Sequence, residues 1–543
     1  MEIIMNIKNT IAELMKKPAL CIKTYSDDVL VSGCDWIEEL YHICINFRKI
    51  FKNYPVEFFL SPYTEQIKKI FANDNIKERT LNMWMNKFDV SSDDIKMFIS
   101  KMVFMTDSIC DASAKKIMQF ASDTTNVDYR YWTAMDISIF TFLASNGFYS
   151  DYYNDRKKLF SKMVCERGIK TPKKENEQQK NKICIITFML KGHIQSSVQR
   201  VVNMVVNAMT MRTDEVMLLS LESFYSSRKE GVNICTVRRK TSAKLHIKKV
   251  KQMNSPKVDI LYAMGNSVTK RLQDAINKIY LFNPTCIIDI SDEFSALSEL
   301  YSKDYPTIYM PLRITGSSMS YTKILGTDWM YEKANHKFNC IDMSKVVNWM
   351  LPEYVPSQGQ KISRTEIGIN NDSFVIVSVG YNSSGFSKDM TDAMCNFLRT
   401  HKNYCWLLVG ENGSPYLHEN YLDLFSNGKI IEHGYEKNLL GLYKSCDILL
   451  RSDTTGSSGA TAIAAMAGLP IVMSDYECDP MRWLGKNYSL LQSPSEIIEE
   501  IERLYEDKDY FKIKQKQVVD LVNKAINEDY WWDELFKISV GLS

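Results

Sequence analysis

The strongest constraint on this chain is a repeating texture that begins at residue 183. Apolar runs at Ile183–Met189, Glu215–Leu221, Val258–Ala263, Cys286–Ile290 and Thr307–Met310 are separated, in several cases, by amphipathic helical stretches. Runs that are apolar throughout, rather than alternating, suit strands covered on both faces, as in a parallel sheet flanked by helices. The rhythm restarts at Phe374–Val379 and continues through Cys405–Val409, Lys429–Glu432, Asp447–Leu450 and Pro470–Met473. The sequence therefore predicts two doubly wound α/β domains divided near residue 355, where Pro352–Lys361 carries turn residues. Two such sheets are expected to form a ligand cleft at the carboxyl ends of their strands.

Ahead of this region, residues 1–165 read as helical. Helical spacing is visible in Trp36, Ile37, Leu40, Tyr41, Ile43, Cys44 and Phe47, again over Ile117–Phe120, and again over Ile137–Leu143. The stretch Lys170–Lys182 is polar with no apolar anchor and reads as a linker. The expected organisation is an all-α domain (1–165), a linker (166–182), two Rossmann-like domains (183–355 and 356–520) and a C-terminal helix (521–543) whose Tyr530, Trp531 and Trp532 pack on the body.

Composition narrows the function classes. At 543 residues the chain has room for three or four domains. Lys and Arg number 67 against 65 Asp and Glu, so no global field gathers nucleic acid or an anionic membrane. The 13 cysteines are scattered without a C-x-x-C pair, which leaves free thiols in a reducing compartment as the plain reading. The longest apolar run, Ala460–Met473, is too short to span a bilayer and contains Gly468 and Pro470. With no signal-type core in Met1–Tyr25, the expectation is a cytoplasmic protein without a transmembrane segment.

The segment Asp447–Asp475 carries the chemistry. It runs strand, Thr/Gly/Ser turn, Ala-rich helix from about Ala460, stop at Gly468, and next strand after Pro470. A Gly/Ser turn feeding a helix offers free N–H groups and the positive end of the helix dipole to an anion such as a diphosphate. Gly456 and Gly459 permit close approach, and Thr454, Thr455, Ser457, Ser458 and Thr461 can donate hydroxyl hydrogen bonds. An ordinary β/α crossover with small residues for packing is the competing reading.

This block resembles the donor-binding motif of GT-B glycosyltransferases, and more nearly that of glycosyltransferase family 41, which includes O-GlcNAc transferases and cytoplasmic enzymes that modify bacterial adhesins. Further segments resemble the family in order. Lys191–Ser197 contains the Gly-x-His-like turn at His193, and Tyr309–Ser318 (with Arg313, Thr315 and Gly316) is similar to its G-x-P-x-T-[ST]-G stretch, with Asp328 fitting the aspartate that closes it. Tyr381–Asp389 holds Asn382 and Lys388, the lysine matching the family's diphosphate residue after a one-residue insertion. His433-Gly434-Tyr435 and Leu442–Asp447 are like the approach to the donor turn.

The resemblance implies a GT-B fold and a metal-independent transfer of a hexose or N-acetylhexosamine from a UDP-sugar to a protein side chain, with no cofactor. It puts His193 and Lys388 in catalytic roles. The donor is held by Gly456, Ser457, Ser458, Gly459, Ala460, Thr461, Asn382 and His433, and Arg313, Thr315 and Gly316 lie on the acceptor or phosphate side. The helical region would grip an acceptor protein or partner subunit. One departure stands out. The family's ribose-binding acid, five positions before the Gly of G-x-P, is here Ile463, and the acid eight positions earlier in many retaining enzymes is Thr455. An isoleucine accepts no ribose hydrogen bond, so Asp453, Asp475 or Glu477 substitutes, or donor binding is weakened or lost. Two alternatives follow: a catalytically degraded subunit holding acceptor for a partner transferase, and a transferase acting on polysaccharide or lipid-linked sugar.

Three other signals have plainer readings. The basic run Val237–Lys251 reads as a solvated edge, Asp507-Lys508-Asp509 as a helix surface rather than a metal-binding D-x-D, and the Tyr530–Trp532 cluster as packing.

Overall fold

The computed structural model describes residues 74–105, 111–125, 168–174, 181–187, 197–221, 258–264, 268–290, 297–311, 321–326, 342–353, 359–380, 386–410, 415–451, 458–474, 481–485 and 491–541, with a few isolated positions. Residue 356, between 353 and 359, is one such position. The chain divides into two compact units, with the division in sequence between Ile308 and Lys323.

Three helices are described in the N-terminal region: α1 (Asp74–Val90), α2 (Asp93–Met105) and α3 (Asp111–Asp123). Their shared core contains Leu81, Trp84, Phe88, Met97, Ile99, Val103, Ile117, Met118 and Phe120. Phe88 and Phe120 meet edge to face at 5.6 Å, and Thr124 Oγ1 donates to Asp93 at 2.6 Å. The helical pattern expected over Ile117–Phe120 lies in α3; those at Trp36–Phe47 and Ile137–Leu143 fall outside the described residues. The described start of the polar stretch is held in place: Lys170 exchanges hydrogen bonds with Gln273 (3.0 and 2.7 Å), and Lys174 donates to the Asp304 carbonyl at 2.9 Å.

The first sheet is built from β1 (Lys182–Thr187), β2 (Glu215–Ser220), β3 (Val258–Tyr262), β4 (Cys286–Ile290), β5 (Thr307–Tyr309), β6 (Lys323–Gly326) and β7 (Val346–Asn348), in the order β3-β2-β1-β4-β5-β6-β7. Its connections include α4 (Ser197–Thr210), α5 (Val268–Phe282) and the single turn α6 (Ser298–Tyr301). The pairs β1–β2, β2–β3, β1–β4 and β6–β7 are parallel. Near the carboxyl end of β4, the buried Asp289 accepts from the Tyr301 and Tyr321 hydroxyls. The first five strands match the apolar runs of the sequence; β6 and β7 are additional.

The second sheet runs β10-β9-β8-β11-β12, all parallel. In chain order it comprises β8 (Phe374–Val379), α7 (Lys388–Thr400), β9 (Tyr404–Val409), α8 (Pro415–Asn420), α9 (Leu422–Ser426), β10 (Ile430–His433), α10 (Leu439–Tyr443), β11 (Ile448–Leu450), α11 (Ser458–Met466) and β12 (Ile471–Val472). After it come α12 (Met481–Leu484), α13 (Pro494–Glu506), α14 (Lys508–Ala525) and α15 (Glu528–Val540). Strand side chains alternate between two cores. Val375, Val377, Leu407 and Leu449 face α11 and α14, while Phe374, Ile376, Trp406 and Ile448 face α7 and α13. Burial of each such side chain stabilises by about 1.5–3 kcal/mol, so both faces need their helices. Two parallel sheets with flanking helices are the two Rossmann-like halves anticipated from the sequence.

Local caps fix the helix starts. Ser387 accepts from the Met390 N–H at α7, Ser493 from Glu496 at α13, and Asp507 from Asp509 and Tyr510 at α14. The D-x-D sequence at 507–509 is thus an N-cap, in keeping with its helix-surface reading. Gly468, at φ +82°, ends α11 in the left-handed region. Its carbonyl accepts from Gln515 of α14 at 2.9 Å. In α15, Trp532 is buried against Trp349 at 5.8 Å, and Trp349 Nε1 donates to the Trp531 carbonyl at 2.8 Å. Burial pushes the thiols of Cys286 and Cys395 up to about 12 and that of Cys405 to about 11, which keeps them protonated and inert. Among the described residues no helix is long and apolar enough to cross a membrane.

At the amino end of β8 and β11, Arg364 pairs with Asp447 at 2.8 Å and donates to the carbonyls of Ser445, Asn371 and Ser373. Burial pushes the Asp447 carboxyl up, while the Val375 N–H and the Arg364 charge favour its ionised form. Replacing Arg364 by Met leaves this carboxylate without its counter-charge. The expected loss is on the order of 3 kcal/mol, read as a fall in the thermal midpoint of the variant against wild type.

Candidate functional site

In the second sheet the chain steps outward in opposite directions from β8 and β11, which lie side by side. This is the topological switch point of a doubly wound sheet, where the carboxyl ends of the strands leave a crevice. Two helices begin there. The chain leaves β8 into α7, whose first residue is Lys388, and leaves β11 into α11, whose first residues are Ser458, Gly459 and Ala460.

The helix α11 suits an anion. Its first turn carries no acidic residue, so nothing on the helix offsets its positive end. A side chain at Gly459 would meet no described atom within 4 Å. Gly459 and Ala460 are half-buried, whereas Thr461 is fully buried and its Oγ1 accepts a hydrogen bond from Arg451 Nη1. Ile463 is partly buried and packs against the core of β8, β11 and α14, so this position serves the seating of α11 on the sheet.

Lys388 is exposed at the start of α7. Its ammonium lies 5.6 Å from the centre of the Tyr416 ring, on the helix that follows β9. One turn along α7, Asp392 accepts from Tyr416 and Tyr421, each at 2.6 Å. Lys388 therefore leans toward the β9 side of β8, while α11 follows β11 on the other side.

His433 closes β10, two strands from β8 and hence about 10 Å along the sheet. Its Nε2 meets Glu436 at 3.1 Å, and Glu436 also accepts from the Asn438 N–H at 2.6 Å. Asn438 in turn caps α10 and donates to the Gln360 carbonyl. The described site residues thus fall into two groups: Lys388 with the α11 start at the switch point, and His433 with its acidic partner at the sheet edge. His193, Arg313, Thr315, Gly316, Asn382, Gly456, Ser457 and the side chain of Ser458 lie outside the described residues. So do Thr455, Asp453, Asp475, Glu477, Asp328 and the basic run Val237–Lys251. Among the described residues no group of three or more His, Cys, Asp and Glu could hold a metal ion.

Three features at this edge were not anticipated: Arg451, the Tyr416–Asp392 pair beside Lys388, and the Ser378 hydroxyl, which accepts from Trp406 Nε1 (2.9 Å) and donates to the Leu450 carbonyl (2.8 Å). Arg451 left a signal, because a charged residue directly after the buried run Ile448–Leu450 sits at a strand's carboxyl end.

Hydrogen bonds from the Asn438 backbone and from His433 hold the Glu436 carboxyl below its ordinary value of 4.5, against the opposing effect of burial. A lowered carboxylate contributes stability that is complete above the unfolded value and is lost as pH falls through the folded one. Glu436→Gln is therefore expected to lower the thermal midpoint at pH 7 and to match wild type near pH 3, in paired melts across that range.

No protein-family model and no curated protein matches the chain. Solved structures do resemble it. A mutant O-GlcNAc transferase from Thermobaculum terrenum aligns over 95% of this chain and 98% of its own, at 10% identity and TM-score 0.53. A glycosyltransferase from Rickettsia africae aligns over 67% of this chain and 100% of its own, at 13% identity and TM-score 0.48. An Anabaena protein solved with UDP-glucose aligns over 66% and 99%, at 11% identity and TM-score 0.43. The last two likenesses are too loose to carry an argument, and the first, at its low identity, speaks to fold. Together with the two parallel sheets, it shows that the fold of the chain is that of the GT-B glycosyltransferases.

Proposed function

We propose that the chain is a glycosyltransferase that binds a nucleoside-diphosphate sugar at the switch point of its second sheet and transfers the sugar, a hexose or N-acetylhexosamine, to a protein side chain. The observation that carries this reading is the start of α11: a helix N-terminus with a glycine and no acid in its first turn, at the carboxyl edge of a GT-B sheet. In such a transfer the bond from the anomeric carbon to the diphosphate oxygen breaks as an acceptor hydroxyl or amide attacks that carbon. The diphosphate leaves with the electron pair and the acceptor loses a proton. Fixed N–H groups at α11 would stabilise the departing charge without reorganisation. Lys388 would add a full positive charge after its side chain turns from Tyr416 toward the β11 side. With these groups no metal is required. His193 is assigned to the acceptor side by the sequence resemblance, and the N-terminal helices to acceptor or partner binding.

A second reading draws on Ile463. With an apolar residue packed where a ribose acid is expected, the site would hold a donor weakly or not at all, and the chain would act as a subunit presenting an acceptor protein to a partner transferase.

Calorimetric titration with UDP, GDP and UDP-sugars in metal-free buffer separates the two. Micromolar binding of a uridine nucleotide is expected. Lys388→Ala should weaken it about 10- to 100-fold, the range for one charge-assisted phosphate contact. Gly459→Val should weaken it further by crowding the anion's approach to the helix start, with a thermal melt checking that the variant is folded. Absence of binding to every nucleotide overturns the enzyme reading in favour of the subunit.

A further inference from the structure

Lys388 stands at the head of a ladder of side chains along α7. Its ammonium lies 5.6 Å from the centre of the Tyr416 ring. The Tyr416 hydroxyl donates to Oδ1 of Asp392 at 2.6 Å, and the Tyr421 hydroxyl donates to the same oxygen at 2.6 Å. Tyr421 is itself buried, with the Arg399 guanidinium 4.9 Å from its ring centre, and Arg399 grips Asp423 through two hydrogen bonds of 2.9 and 2.8 Å. The Tyr416 ring is thus fixed from α7 through one carboxylate. Lys388 and Asp392 are four residues apart on that helix and so share a face. Burial pushes the Asp392 carboxyl up, but the two tyrosine hydrogen bonds and the Lys388 charge outweigh it and hold the group below its ordinary value of 3.8. The lysine is therefore drawn to the β9 side by a ring face and by a negative charge.

We propose that Asp392 is a positioning residue for Lys388, holding its ammonium against Tyr416 until a diphosphate draws it away; the assignment rests on the donor-site reading above. Each resting contact is weak. A cation over an exposed ring shifts an equilibrium about two- to fivefold, and an ion pair across one helical turn about twofold. Together they oppose ligand binding by about three- to tenfold, because the lysine has to give them up. That is less than the roughly 10- to 100-fold of a charge-assisted phosphate contact, so the diphosphate wins and the lysine moves. Asp392 and Tyr416 thereby set donor affinity without touching the donor: the firmer the resting contact, the weaker the binding. A ladder that only seats α8 on α7 would have no such coupling to Lys388.

The test uses the full chain, with UDP as the probe in calorimetry and thermal melts in parallel. Asp392→Asn is the informative variant, since its amide oxygen still accepts from both tyrosines while the charge is gone. It is expected to bind UDP about three- to tenfold more tightly than wild type. The same change made in a Lys388→Ala background should leave the affinity of that background unaltered, which shows that Asp392 acts through the lysine. Unchanged or weaker binding in Asp392→Asn overturns the inference. So does a gain that persists without Lys388, because the carboxylate then repels the ligand directly. A second readout needs no ligand: NMR of the chain with 13C-dimethylated lysines, the Lys388 signal being assigned by its loss in Lys388→Arg. That signal should lie upfield under the Tyr416 ring, relax in Tyr416→Leu and in Asp392→Asn, and relax on addition of UDP. If Tyr416→Leu does not fold, Asp392→Asn alone decides this arm. Wild type that binds no UDP defeats the donor-site reading itself. The NMR signal then judges the resting contact separately: an upfield shift lost in Asp392→Asn upholds it, and an unshifted signal overturns it.

Discussion

The adjacency of β8 and β11 creates the crevice, and it is secured at both ends of the pair. At the amino end Asp447 accepts from the Val375 N–H at 2.6 Å while its own N–H returns a bond to the Val375 carbonyl, and Arg364 neutralises the carboxylate. At the carboxyl end the Ser378 hydroxyl takes the indole proton of Trp406 on β9 and gives its own to Leu450 on β11. One side chain thus ties three neighbouring strands just below the site. Both fastenings are polar groups in apolar surroundings, where a well-made hydrogen bond is strong and a lost one leaves a costly orphan. The β8–β11 register, Ile376 to Ile448 and Val377 to Leu449, is held accordingly.

With that register fixed, the start points of α7 and α11 follow, and so does the electrostatic character of the edge. The two helices differ. The start of α7 is already used: Ser387 caps it and Asp389 lies in its first turn. The first turn of α11 has no acid, and Arg451 stands behind it. Lys388 rests on the β9 side against Tyr416 and near Asp392. His433 belongs to a separate local network whose most evident effect is to order the turn into α10.

The ten strands that were legible in the sequence each carry an apolar run; eight of them are buried almost throughout, while the edge strands β3 and β10 are only partly buried. The short strands β6 (KILG) and β7 (VVN) carry no such run, and pairing with neighbours rather than composition makes them strands. The end of α11 was readable because Gly468 and Pro470 act through local backbone geometry. The partners of its side chains were not: Thr461 reads equally well as a ligand-facing hydroxyl, and only the fold brings Arg451 against it. Ile463 was visible as a departure from the family pattern, while its packing against the sheet needed three dimensions. Lys388 could be placed after the first strand of the last domain from sequence, but the ring it leans on lies 28 residues away across α7 and β9.

The pairing of Trp349 with Trp531 and Trp532 joins residues 182 positions apart, and Glu353 likewise donates to Ala525. Contacts of such separation close late, after the intervening chain has been ordered. On the ribosome, β8 through β12 emerge well before α15 exists, so the switch point has its strands before it has its final fastening. A growing chain that pauses between residues 475 and 525 would expose the face that α14 covers, including the side of α11 that carries Ile463. The half that contains the switch point is thus the half whose synthesis passes through an exposed-core stage, closed only when α14 is in place.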